Sequence, residues 1–217
     1  MRSFRVIVIL GAALCLGAQG QNAPAPASER KGLPPRAAPT DYEAHATAGN
    51  VTIGAEFLGH SIPRAEGEPL ITDDYVVIET GLYGPPGTHT NITVDNFKLR
   101  INEKKKPPID SAPYGMIFSS LKEPEWQAEQ DLEAKKAKDD MAGVNKNPGA
   151  TPAPKRMPLE LQRAIQDEVR KAALPEGDRP LPEAGLIFFR HGGKVENIHS
   201  MELIYTGPTG TATLPLQ

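Results

Sequence analysis

Apolar and polar residues alternate in short bursts along much of this 217-residue chain, with Gly, Pro, Asn and Asp between the bursts. That texture predicts successive strands and turns. Val51, Ile53, Ala55 and Phe57 alternate with Thr52, Gly54 and Glu56, giving one buried face and one wetter face. The strongest strand signal is Tyr75 to Tyr83, with Val76, Ile78, Thr80 and Leu82 on one side and Tyr75, Val77 and Glu79 on the other, as befits the middle of a sheet. Gly84-Pro85-Pro86-Gly87 ends it, because proline cannot donate to a ladder and glycine admits turn conformations. Ile92 and Val94 keep one phase while Phe97, Leu99 and Ile101 keep the other, so a turn or bulge is expected at Asp95-Asn96. Ser119 and Ser120 are read as strand. Leu186 to Phe189 is apolar in both phases, as in a strand covered on both faces, and Met201 to Leu216, turned at Gly207-Pro208-Thr209-Gly210, predicts a closing hairpin.

Between Lys122 and Pro182 the strand texture gives way to helix. Glu125 to Ala142 is rich in helix formers, with Asp131 and Lys135 spaced i,i+4, but its apolar content is mainly Trp126, Leu132 and Met141. A solvated helix pinned at one end is expected. A Pro, Gly and Asn linker spans 143–158, and a second helix from Leu159 to Ala173 carries the stripe Leu161, Ile165, Val169 and Ala172, which must pack on something.

The first twenty residues read differently: Arg2 and Arg5 precede an apolar core from Val6 to Leu16, and Ala18-Gln19-Gly20 supplies small residues for cleavage. An export signal is expected, cleaved near Gly20, with a secreted or periplasmic mature chain; retention uncut is the one expected route to a membrane. Cys15, the single cysteine, would leave with it, so the mature fold would rely on burial without disulfides. Residues 21–40, rich in Ala and Pro, read as a disordered leader. The expected organisation is thus signal 1–20, leader 21–40, a β domain over 41–121 and 182–217, and a helical insertion over 122–181.

The strand YVVIETGLY at 75–83, the run FKLRINEKKKP at 97–107, and the closing GLIFFR and MELIYTGPTGTATLPL segments resemble bacterial extracytoplasmic immunoglobulin-like sandwich domains of unknown function. The resemblance implies a mainly β, antiparallel immunoglobulin-like sandwich interrupted by the two-helix insertion, and a binding, scaffold or envelope-associated role without enzymatic activity. The chain departs from antibody domains in lacking sheet-bridging cysteines and a central-strand tryptophan.

Charge and motifs narrow the chemistry. A formal net charge of -3 gives no basic footprint for nucleic acid, and the dense basic run Glu103 to Lys106 is read as a solvated turn. The five histidines, His45, His60, His89, His191 and His199, match no close metal-ligand spacing, though His191 and His199 are candidates to face each other across their turn. Asp73-Asp74 lack an oxygen-rich calcium pattern and read as a turn, and Asp139-Asp140 as the exposed end of a helix. Neither GxSxG nor GxGxxG nor a P-loop occurs, so no catalytic or cofactor-binding residue is assigned and no cofactor is expected. Trp126, Tyr83 and Tyr114 are the candidate contacts with a partner, since a planar apolar ring with a polar handle suits a peptide or sugar. The expected partner is an envelope or extracellular protein or glycan. A carbohydrate-binding module and a hydrolase with a dispersed site are the alternatives.

Overall fold

A computed structural model describes residues 32–102, 107–141 and 156–217, the side chains of 137–141 excepted. The export signal, the first part of the leader, the basic run at 103–106 and most of the linker lie outside the described residues. The chain enters with the hairpin Ala44–Ala48 (β1) and Val51–Phe57 (β2). Its turn residue Gly49 has φ 62°, a conformation glycine adopts without a Cβ penalty. Ser61–Ile62 (β3) and Leu70–Thr72 (β4) precede Tyr75–Tyr83 (β5), and His89–Ile92 (β6), Phe97–Ile101 (β7), Ile109–Ala112 (β8) and Leu121–Lys122 (β9) follow. Two helices come next, Pro124–Met141 (α1) and Leu159–Ala172 (α2). The chain closes with Gly177–Pro180 (β10), Glu183–Arg190 (β11), Met201–Gly207 (β12) and Gly210–Pro215 (β13).

The molecule is mainly β, and its sheets are antiparallel. Eight strands form one sheet in the order β1-β2-β5-β11-β8-β7-β12-β13. The short strand β8 makes the order continuous: Lys98 and Leu99 of β7 face its Asp110 and Ile109, while Phe188 and Phe189 of β11 face its Ala112 and Ser111. The sheet curls until it is nearly barrel-shaped. Its two end hairpins meet so closely that a Cβ added to Gly49 would stand 2.3 Å from the Thr209 carbonyl oxygen.

Two cores follow from this curl. The inner one gathers Ile53, Val76, Ile78, Leu82, Phe97, Ile187, Phe189, Leu203 and Leu214. The outer one gathers Tyr75, Val77, Leu186 and Phe188 beneath Ile165 and Val169 of α2, with Ile62, Leu70 and Ile117 beside them. The alternation read in β5 is therefore real on both sides, with each face supplying a different core, and LIFF is covered on both faces as expected. Fully burying each such side chain is worth roughly 1.5–3 kcal/mol, so β5 and β11 are the elements on which both cores depend.

Several elements differ from the pattern reading. Ser119 ends a 3-10 turn, Tyr114–Ser119, rather than a strand, and buried Ser120 hydrogen-bonds Thr72, Oγ to Oγ1 at 3.1 Å. Strand β10 lies within the region read as helical. Its sequence GDRP has no apolar alternation, because it forms only a two-stranded ribbon with β6 and is mostly exposed. The expected turn at Asp95-Asn96 is present as a 3-10 turn, Val94–Asn96. Residues 32–40, the end of the stretch read as a leader, lie against the sheet: Leu33 N–H donates to the Ala184 carbonyl at 2.9 Å, and Arg36 reaches Glu79. Composition missed this because, apart from Leu33 packed against the outer core, the segment is held by polar and backbone contacts.

Candidate functional site

The three aromatic candidates occupy different neighbourhoods. Trp126 is half-buried in the first turn of α1, where its backbone N–H donates to the Glu123 carboxylate. Glu123 is itself buried and accepts from Arg64 Nη1 at 3.1 Å, while Arg64 Nε donates to Glu168 of α2 at 2.8 Å. Hydrogen bonding to Glu168 first, partly offset by burial, raises the Arg64 guanidinium above its ordinary value. Trp126 therefore belongs to the joint that pins α1 by its N-terminal end, while Leu132, further along, is 60% exposed.

Tyr83 belongs to a strap across the outer face of the sheet. Its hydroxyl donates to the Arg36 carbonyl at 3.0 Å, and its ring meets Tyr42 edge-on with centroids 6.2 Å apart. Arg36 grips Glu79 with two nitrogens, Nε at 3.1 Å and Nη2 at 2.8 Å, pairs with Glu56, and lies 4.4 Å above the Tyr42 ring. The Tyr42 ring lies across Gly54 and Gly81, which face each other in β2 and β5. A Cβ on Gly54 would approach Tyr42 Cδ2 to 2.4 Å, and one on Gly81 would approach its hydroxyl to 2.5 Å. Burial is the main force raising both tyrosine hydroxyls above the ordinary phenol value, and hydrogen bonding to Glu79 raises Arg36 further. The paired carboxylates Glu56 and Glu79 are thus taken up by Arg36. Arg36 and Tyr42 were not found from sequence, although glycines inside two strands signal a close approach of other atoms.

Tyr114 stands apart, 38% exposed, with Phe118 edge-on to it at 6.1 Å. It walls a cleft of about 240 Å³ between the end of β8, the C-terminal end of α2 and the loop into β10. Half-buried Ala112 and exposed Pro113 give it apolar walls above the buried side chains of Leu186 and Phe188, and Arg170, Glu176 and Arg179 stand around it. The chain folds this way locally because Pro113 and Pro175 cannot continue β8 or α2, so each element stops at the edge of the outer core. Another opening lies beside Tyr83, an open groove with Thr47, Thr52 and Pro85.

The cleft's backbone donors are mostly taken. Val94 N–H donates to Glu176 Oε1 at 3.1 Å, Ala173 N–H to the Val169 carbonyl at 2.9 Å, and Leu174 N–H to the Leu186 carbonyl at 3.0 Å. Arg179 is half-buried; its Nε donates to the Glu176 carbonyl at 3.1 Å, and its terminal nitrogens have no partner among the described residues. Arg170 pairs at 2.8 Å with Asp167.

The histidines are arranged otherwise than the turn suggested. His60 places Nδ1 2.7 Å from the Tyr75 carbonyl and Nε2 3.0 Å from that of Gly193, joining the start of β5 to the loop after β11. His191 packs nearby; burial, and then the charge of His60, lowers its pKa. His199 instead gives its backbone N–H to Asn102 Oδ1 at 2.7 Å, so it is tied to a different strand end from His191. Asp73 pairs with Lys122, and the Asp74 carbonyl accepts from His191 N–H at 2.8 Å. Among the described residues, no group of three or more His, Cys, Asp or Glu could hold a metal ion, and no helix is long and apolar enough to cross a membrane.

Comparison with protein-family models, with curated proteins and with solved structures finds no match to this chain.

Proposed function

We propose that this is an exported, non-enzymatic binding module of immunoglobulin-like architecture, which engages an envelope or extracellular macromolecule through the cleft beneath Tyr114. The cleft carries the reading. An apolar-walled recess beside an exposed aromatic ring, with a half-buried arginine at its margin, is the arrangement by which sites of this size hold one side chain and orient it. The export pattern of residues 1–20 supports the compartment. Strand β8 supports the architecture, since a strand that pairs first with one group of strands and then with another is how sandwiches turn their corners.

Affinity capture from native envelope extract tests the proposal, using the mature chain beside a Tyr114→Ala variant of equal thermal stability. A partner retained by the first and lost by the second is the expected outcome. No reproducible partner, or one held equally by both, would overturn the assignment of the cleft. Recovery of a polysaccharide instead of a protein would move the reading to a carbohydrate-binding module.

A further inference from the structure

The hydrogen-bonding capacity left over in the Tyr114 cleft lies mainly in side chains. Pro113 and Pro175 have no N–H to offer, and the N–H groups of Val94, Ala173 and Leu174 are already donated elsewhere. The side-chain groups still open include the terminal guanidinium nitrogens of Arg179, the guanidinium of Arg170 beyond its single contact with Asp167, the Tyr114 hydroxyl, and Glu176 Oε2, since Glu176 Oε1 is occupied. A half-buried guanidinium fork without a partner matches the two oxygens of a carboxylate, which it binds in bidentate fashion. Glu176 Oε2, an acceptor beside it, matches an N–H donor.

The cleft's size limits what carries these groups. About 240 Å³ falls below the usual range for a whole drug-sized ligand, roughly 300–1,000 Å³, and suits a single large residue. Ala112 and Pro113 favour an apolar or aromatic side chain there, and Tyr114 gives it a ring to pack against. A carboxylate, an apolar side chain and an N–H donor belong together on the last residue of a polypeptide.

We infer that the cleft receives the free C-terminus of a partner polypeptide ending in an apolar or aromatic residue. Arg179 holds the carboxylate with Arg170 adding positive charge, Glu176 accepts from the terminal N–H, and the side chain packs among Tyr114, Ala112 and Pro113. The inference rests on the cleft being the binding site.

Fluorescence anisotropy of the mature chain with a fluorescein-labelled hexapeptide ending in phenylalanine, as free acid and as amide, separates the two claims. The acid is expected to bind about tenfold or more tightly than the amide, because an unpaired charged donor is costly to leave in the cleft. Arg179→Gln should abolish that preference, Arg170→Gln should lessen it, and both variants should keep the parent's thermal midpoint. Tyr114→Ala should weaken acid and amide alike. Equal affinity for acid and amide, with Tyr114→Ala still weakening both, would overturn the C-terminus inference and leave the cleft as a binding site. Failure of both peptides to bind would overturn the inference; if envelope capture were also indifferent to Tyr114→Ala, the cleft itself would be lost as the site.

Discussion

His60 shows how a residue without a sequence motif acquires a structural role. Its two ring nitrogens lie 2.7 Å and 3.0 Å from the carbonyls of Tyr75 and Gly193, so one side chain joins two segments distant in the chain. His191, packed near it with Nε2 buried and unpartnered among the described residues, is favoured in its neutral form. The sign of its effect on stability follows from that. A folded-state pKa below the ordinary 6.5 means that the folded chain disfavours the proton, so this contribution is fully present above pH 6.5 and is lost as pH falls from 6.5 through the lowered value. Urea unfolding across pH 4–8 should show parent and His191→Asn proteins diverging in slope over that window, with the variant the flatter; parallel profiles would refute the assignment. The histidine pattern in the sequence carried no trace of this pairing. His60 and His191 are far apart along the chain and meet only because β5 and β11 lie side by side.

At the scale of elements, α2 was readable and β10 was not. The spacing of Ile165, Val169 and Ala172 gives the helix one apolar stripe, and the structure buries all three against Val77, Leu186 and Phe188. Leu159, off that stripe, is 59% exposed. Val169→Ala should cost about 1–3 kcal/mol in chemical denaturation, while Leu159→Ala should stay within about 0.5 kcal/mol. Similar costs for the two would mean that the helix buries a different face. Helix α1 was equally visible in composition, and its N-terminal end is fastened to the rest of the fold. The means of attachment, through buried Glu123 and the Arg64–Glu168 pair, joins three separate parts of the chain and leaves no local pattern. Strand β10 is defined by backbone pairing with β6 alone, and pairing without burial has no hydrophobic period to detect.

Across the whole molecule, the strap from Gly32 to Tyr42 ties the segment preceding β1 to the strands that both cores share. It works because Gly54 and Gly81 leave a trough for the Tyr42 ring, and Arg36 closes it through Glu56 and Glu79. Gly54→Ala should destabilise the fold by about 1–3 kcal/mol, since the added methyl must displace the ring. Combined with Tyr42→Ala it should cost clearly less than the sum of the single changes; strict additivity in a double-mutant cycle would show that the ring does not occupy the trough. Of the candidate ligand residues, Tyr114 lies exposed at the cleft, Tyr83 donates to the Arg36 carbonyl within the strap, and Trp126 gives its backbone N–H to Glu123. Arg179 gave no signal beyond its charge. Strand texture, the two-faced burial of β5 and β11, the paired helices and the closing hairpin were determined by sequence alone, because alternation and helical period are local consequences of which side chains leave water. Tertiary structure alone decided the curl of the sheet, the two separate cores, the strap and the cleft, because each depends on contacts between residues distant in the chain, which no local period encodes.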